Sequence, residues 1–474
     1  MVKRLLAAGL ALPATLALAA GCFTSASEDP ASQHAPVSYH KDVEPLLQSH
    51  CLSCHSEGGI APFSLATYAA AKANATNIAS YTKAGLMPPW GAVDSPSCKP
   101  RMKWQADPRL SDAEIATLGA WLAQGTPEGD VKDAPPPYVA PARGLPNPDR
   151  ELAPKVGFTV TEKSRDTFRC FVIDPQITQT AYVNGTNIVP GNQQVVHHVL
   201  LFTDPAGESL KKQLGPDGGY DCFGGVGLAN TSLLMGWVPG MMPQEFPENV
   251  GTKLEKGTLL VMQIHYHPHT LDAVNAKADI TSAQLRFNKV DPAYELTSAL
   301  IGNFDKPIPP RYGFAYEPTD PDALPTFVIP ANSKGKTVTQ RFQIPPQIQG
   351  KPTPDLYLYG VGGHMHWVGT ETDVTLKRGT VLNNEPENEC LVSIPHWDFN
   401  WQRIYHPDAP IESLLPLRAF DELQIKCTYD NTLGNPAVAS ALKSQGLSQP
   451  QDVTLGEQTL NEMCLGVFQV VFKR

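Results

Sequence analysis

Histidines recur as pairs in three short stretches of this chain. QVVHHVLLF carries His197 and His198, TLLVMQIHYHPH carries His265 and His267, and VGGHMHWVGT carries His364 and His366. Imidazole is the commonest metal ligand among side chains, so such pairs are the first candidates for a metal site. Successive strand side chains point to opposite faces, which puts His364 and His366 on one face and Met365 and Trp367 on the other. By the same rule Leu260, Met262, Ile264 and Tyr266 form one apolar face, leaving Gln263, His265 and His267 aimed at a cleft. His197 and His198 are adjacent, so both reach one metal only at a strand end or bulge, and Pro190-Gly191-Asn192 just upstream supplies irregular backbone. Any one pair is equally well a set of polar surface groups; three pairs together are harder to set aside. Imidazole alone admits zinc or copper, whereas a thioether beside two histidines selects copper, Cu(I) in particular. The candidate sulfurs are Met235, Met241, Met242, Met262, Met365 and Met463, of which Met262 and Met365 point away from their neighbouring histidines toward a core. NEMCLGVFQVVF reads as a strand in which Met463, Leu465 and Val467 share a face and Cys464 turns from it.

A second chemistry sits near the start. HCLSCHS, residues 50–56, contains CxxCH, in which Cys51 and Cys54 form thioethers to a porphyrin and His55 reaches the iron. A zinc ligand pair or a redox CxxC is the competing reading, disfavoured by the lack of a second CxxC. The surroundings suit a small helical cytochrome c. VEPLL spaces Val43, Leu46 and Leu47 for one helix face, and SDAEIATLGAWL opens with a Ser111/Glu114 capping box and aligns Ile115, Leu118 and Leu122. The sixth iron ligand is expected to be Met87, in the proline-held loop GLMPPW after a helix ending near Gly85, with Met102 as the other choice. Cys98 has no evident role in this part.

These motifs need elements to hold them. A chain of 474 residues divides into two to four domains, and 45 prolines with 42% hydrophobic and 18% charged residues favour loop-rich β-sandwiches over helical bundles. The net charge of −10, with no Lys/Arg-rich run, argues against a nucleic-acid partner. MVKRLLAAGLALPATLALAAGC has a basic start, an apolar stretch and small residues before Cys22, the form of a bacterial export signal. The small residues running into Cys22 resemble a lipoprotein processing site, which implies a lipid anchor there and a place in the periplasm or cell envelope. No later apolar run is long enough to span a bilayer, and exported chains keep disulfides. Residues 128–150 read as a proline-rich semi-rigid spacer, on which the cytochrome docks or swings.

In their order and spacing, HHVLLF, QIHYH, GGHMHWVG, Cys427 of IKCTYDNT and EMC at 462–464 resemble the copper type II, ascorbate-dependent monooxygenases, whose members include peptidylglycine α-hydroxylating and dopamine β-monooxygenases. The resemblance covers roughly residues 155–474. It implies a mainly β chain with two antiparallel, jelly-roll-like β-sandwiches, one copper in each, facing a cleft. Carried over by motif, His197, His198 and His265 would hold the electron-transfer copper, with His267 the alternative to His265. His364, His366 and Met463 would hold the copper that activates O2 and hydroxylates a C–H bond, and Cys427 and Cys464 would form a disulfide. Cys98, Cys170, Cys222 and Cys390 then have three possible pairings, with Cys170–Cys222 preferred because both flank the first histidine strand. Gln263, on the face of His265, is a candidate partner for that imidazole.

The expected organisation is a signal over 1–22, an all-α cytochrome c domain over 37–127, a linker over 128–150, and copper sandwiches over 151–310 and 311–474, parted near KPIPPRYGF. The expected cofactors are two copper ions and one covalent haem c, and the partners are O2, a small organic substrate and an upstream electron donor. The peptide-amidating branch holds its substrate carboxylate with an arginine two before HxH and a tyrosine four after the methionine; here those positions are Gly362 and Val467. A peptide with a C-terminal glycine is thus doubtful as substrate. Two other classes compete: a non-catalytic copper and haem electron-transfer or metal-binding envelope lipoprotein, and an adhesive surface lipoprotein whose histidines are incidental.

Overall fold

The computed structural model describes residues 36–474 apart from 58, 60, 97, 143, 162–166, 224, 268–276, 303–312, 316–326, 349, 383, 457 and 459. The expected export signal, Cys22 and the sandwich boundary near residue 310 lie outside the described residues. Strand makes up 35% and helix 16%, so the chain is mainly β. No helix among the described residues is long and apolar enough to cross a membrane.

The helices gather near the start. Helix Asp112–Ala123 opens on the expected capping box, with Ser111 Oγ accepting from the Glu114 amide and the Glu114 carboxylate accepting from the Ser111 amide. Helix Ala75–Lys83 ends at Gly85, whose φ of +68° lets the Leu86 amide turn back to the Tyr81 carbonyl at 2.9 Å, with the Gly85 amide on Thr82. Tyr39, Val43, Leu47 of helix Glu44–His50, Leu52, Leu65, Ile78, Leu118 and Trp121 form one small core between them.

Alternation of apolar and polar residues builds the rest as strands. Leu259–Tyr266 lies between Thr167–Ile173 and Val196–Asp204, and the latter pairs with Ser232–Trp237. From there the sheet continues through Tyr294–Gly302 to Leu465–Lys473 and Leu356–His364. One 14-stranded sheet therefore carries both the His198/His265 strands and the His364 strand. This differs from the expectation of separate, purely antiparallel sandwiches: Tyr294–Gly302 pairs in parallel with Val250–Leu254. A second, 5-stranded sheet over Gly369–Lys377, Asn388–Ile394, Glu422–Asp430, Lys334–Gln343 and Gly313–Ala315 supplies Val374, Leu376, Val392 and Ile425 to a core shared with Leu358, Val361, Met365 and Phe468 of the large sheet.

Three disulfides join Cys170 to Cys222, Cys427 to Cys464 and Cys98 to Cys390. Three pairs are consistent with an exported or secreted protein. The Cys98 bond shows that the segment after the third helix belongs to the C-terminal core. Trp90 and Ala92 are buried there, and Trp90 meets Tyr405 edge-to-face at 4.9 Å. The Val93 amide donates to Ser393, the Gln105 amide to His406, and Arg101 reaches Glu389 at 3.1 Å, a carboxylate already held by buried Arg378. Beyond it, the 128–150 stretch is itself tied down: Gln48 donates to Pro136, and the Leu145 amide to Gln284. These contacts replace the swinging arrangement allowed by the proline-rich composition. Replacing Cys98 and Cys390 together by serine is expected to cost about 2–5 kcal/mol of unfolding free energy, read as an earlier guanidinium transition of tryptophan fluorescence. An unchanged midpoint would show that the apolar contacts alone hold the segment.

Candidate metal centres

Pairing between Val196–Asp204 and Leu259–Tyr266 slips between Val196 and His198, so His197 sits in a bulge, the irregularity that lets neighbouring side chains turn to one side. His198 lies directly across from His265, and Phe168 lies across from His265 on its other flank, the rings stacked 4.1 Å apart and 5° from parallel. One nitrogen from each of His197, His198 and His265 falls within 4.8 Å of the others. The Nδ1 atoms of His197 and His198 are 3.2 Å apart. Two coordinate bonds of about 2.0–2.1 Å to one ion put their nitrogens at that distance when they meet at about 100°. Burial, then the neighbouring His265 and His197, hold the His198 imidazole well below its usual pKa, and the neutral ring is the form that binds a metal. His267 stands farther out, its ring 5.9 Å from His197 and 6.2 Å from His265, against 5.0 Å between His197 and His265. Gln263 departs from the role expected for it: its amide donates to the Cys222 carbonyl at 3.0 Å, so it braces the disulfide beside the site.

The second pair lies at the end of Leu356–His364. His366 falls just beyond the strand, not within it as the alternation suggests, yet the two imidazoles remain 5.1 Å apart, centre to centre. His364 pairs with Leu465, and the same antiparallel register carried two residues on sets His366 opposite Met463. Buried Glu462 ties these ends together, its carboxylate accepting from the amides of His366, Val368 and Met463. Burial raises its pKa to about 8, against the lowering effect of those amides. The Tyr429 hydroxyl donates to the Met463 carbonyl at 2.8 Å, and the Cys427–Cys464 bond fixes the next residue.

Both imidazoles of this pair are oriented from behind. His364 Nδ1 is 2.5 Å from Gln402 Oε1, and the Gln402 amide nitrogen donates to the Phe399 carbonyl, which fixes which end of the amide faces the ring. His366 Nδ1 is 3.0 Å from the Asn461 carbonyl. Carbonyl oxygens only accept, so each Nδ1 carries the proton and each Nε2 keeps its lone pair for a metal. Gln402→Leu is expected to weaken metal binding at this pair by about 10–100-fold in a chelator-competition titration, leaving the three-histidine cluster unaffected. Equal affinity in the variant would show that packing alone orients His364.

Sequence reasoning missed the segment that supplies this support, WDFNWQ at 397–402. Trp397 Nε1 donates to the His366 carbonyl, Phe399 packs on Trp367 at 4.5 Å, and Gln402 holds His364. It is a turn with no periodicity, and its only signal is three aromatic residues and an amide within six positions.

In the helical part, Cys51 and Cys54 are reduced while the six other described cysteines are bridged. They lie on one turn, with the Cys54 and His55 amides both donating to the Cys51 carbonyl. His55 Nδ1 is 3.1 Å from the Phe63 carbonyl, which leaves Nε2 as the acceptor nitrogen. Met102 packs against the C-terminal core, whereas Met87 is half-buried in the loop after Gly85.

Comparison with known proteins bears on the first cluster. Residues 155–273 match the family model of the copper type II ascorbate-dependent monooxygenases, N-terminal domain. That span contains His197, His198 and His265. The chain is 25% identical over 290 residues to "Putative DBH-like monooxygenase protein 2" of Homo sapiens, a match covering 59% of this chain and 47% of that protein. The chain thus spans about half the length of this curated relative. Together they support the family, an oxidoreductase activity and a copper cofactor. Among solved structures, a "putative secreted protein" from Eubacterium rectale aligns at 8% identity over 66% of this chain and 71% of that one, with a TM-score of 0.19. The infectious bursal disease virus VP2 subviral particle aligns at 10% identity over 70% and 72%, with a TM-score of 0.18. Scores this low carry no argument.

Proposed function

We propose that this chain is a copper-dependent monooxygenase that inserts one oxygen of O2 into a C–H bond of a small organic molecule, with electrons entering through a fused haem c. The observation that carries the reading is the convergence of His197, His198 and His265 within 4.8 Å, inside the span that matches the family. The three-imidazole cluster and the His364/His366/Met463 group would each hold one copper. Copper at these sites would supply one-electron redox chemistry. The overall reaction takes R–H, O2, two electrons and two protons to R–OH and water.

The chain's own residues prepare the sites. Gln402 and the Asn461 carbonyl keep His364 and His366 in the tautomer with Nε2 unprotonated. Glu462 holds the backbone of His366 and Met463 at fixed separation, and Met463 contributes the one soft donor. Substrate class is supported by a pair of residues: Gly362 and Val467, where the peptide-amidating branch keeps its carboxylate anchors, are direct partners across two strands. A side chain at 362 would meet the Arg403 carbonyl at 2.6 Å, so no anchor fits without moving that segment. A less polar substrate follows.

Residues 37–127 are read as the cytochrome c domain, 128–150 as its connector, and 151–310 and 311–474 as the two copper sandwiches. Haem fits the reduced Cys51/Cys54 pair and the Nε2 of His55, with Met87 as sixth ligand, because Met102 is taken up by another core. It would pass single electrons toward the copper sites in place of ascorbate. Residues 1–22 are read as an export signal and Cys22 as a lipid anchor in a bacterial envelope. The deciding experiment is oxygen uptake by the copper-loaded, haem-bearing protein with a reductant and a panel of small C–H substrates. Uptake stoichiometric with a hydroxylated product supports the reading; electron cycling without O2 consumption sinks it.

A further inference from the structure

Phe399 occupies the space between the two histidine groups. It lies on the turn Phe399–Trp401, which starts at Asp398, whose side chain accepts from the Asn400 amide. Its ring stacks on His197 with centroids 5.0 Å apart and planes 18° from parallel. The same ring meets His366 nearly perpendicularly at 5.7 Å. Its backbone carbonyl accepts from the Gln402 amide that orients His364. One half-buried residue therefore touches the three-histidine cluster, touches the second pair, and through Gln402 braces the remaining imidazole of that pair.

No strand joins the groups so directly. Within the sheet, the path from Val196–Asp204 to Leu356–His364 runs through three intervening strands, and its weakest link is a single register pair between Ser298 and Leu233. The backbone around the sites is thus free to set more than one separation, whereas an aromatic ring stacked on both sides accepts only one. We propose that Phe399 is a positioning residue that sets the distance between the two metal sites. It does so by clamping His197 against His366, keeping the cleft between them closed. The inference rests on the two-copper reading above and concerns geometry alone.

The test is dipolar broadening of the Cu(II) EPR signal of the full chain, which falls steeply with the separation of two ions, together with copper content per chain. Wild-type protein carrying two Cu(II) is expected to give a spectrum broader than that of protein carrying one. Phe399→Ala is expected to bind two coppers and lose most of that broadening, and Phe399→Tyr to restore it. A purely structural role for the ring would lower copper content or folding and would leave the broadening of the doubly loaded fraction unchanged. Full broadening in a two-copper Phe399→Ala protein overturns the clamp and leaves the proposed function standing. Wild-type protein that takes up one copper overturns the two-copper reading and the clamp with it. Should the alanine variant not fold, Phe399→Leu keeps the volume without the flat face, and the same loss or retention decides.

Discussion

His364→Ala is expected to bring copper content from two ions per chain to one and to cut O2-dependent hydroxylation by at least about 100-fold, the upper range for losing even an outer-shell partner of a metal ligand. The variant leaves His366 and Met463 as the only donors at that site, too few to hold an ion against solvent. His364 is the last residue of its strand, half-buried, with Gly363 before it, so alanine preserves the backbone pairing to Leu465. The His197/His198/His265 group keeps all of its own strand pairs and should hold its ion. Elemental analysis after dialysis, beside oxygen uptake, reads both effects. Loss of both ions would mean the two sites are one cooperative unit, and unchanged turnover would make His364 a structural residue.

Met463→Ile should leave a folded protein with turnover reduced by a similar factor. Isoleucine nearly conserves volume and apolar character, so the stability change should stay below about 1.5 kcal/mol. What disappears is the thioether, the donor that favours Cu(I) over its competitors. The backbone frame is unaffected, because Glu462 bonds the amide of residue 463 and Tyr429 its carbonyl, whichever side chain is present. X-ray absorption at the copper edge should show sulfur scattering in the wild type that the variant lacks. Retained turnover without sulfur scattering would reduce Met463 to a packing role.

Much of the candidate site was legible because it rests on local rules. Adjacent His197 and His198 demanded a bulge, and the register slip before His198 supplies it. Alternation put His265 on the cleft face and Met262 and Met365 in the core, where both are fully buried. The Ser111/Glu114 box and the stop at Gly85 follow from capping chemistry within a few residues. What escaped depends on contacts remote in sequence. The strand stops at His364 because the amides of His366 and Val368 turn to the Glu462 carboxylate, 96 and 94 residues away, and no local pattern encodes that choice. The docking of Trp90 and Ala92 into the C-terminal core follows from a partner 292 positions downstream of Cys98, among four cysteines whose pairings composition cannot rank. Phe399 and Gln402 sit on a turn, where neither helical nor strand periodicity exists to mark a face.

That long-range bond also constrains the order of maturation. A chain folds as it emerges from its N-terminal end, so Cys98 appears long before Cys390 can meet it. In an oxidising compartment Cys51, Cys54, Cys98 and Cys170 form a pool of thiols, and none of the partners that Cys98 and Cys170 finally take has yet been made. Early oxidant would trap Cys98 with Cys51 or Cys54 and at once block both the closing of the C-terminal core and the only two cysteines that end reduced. Correct assembly therefore asks for delay: the CxxCH turn has to be capped or shielded first, and the last-made third of the chain then retrieves Cys98 into the core waiting for Trp90.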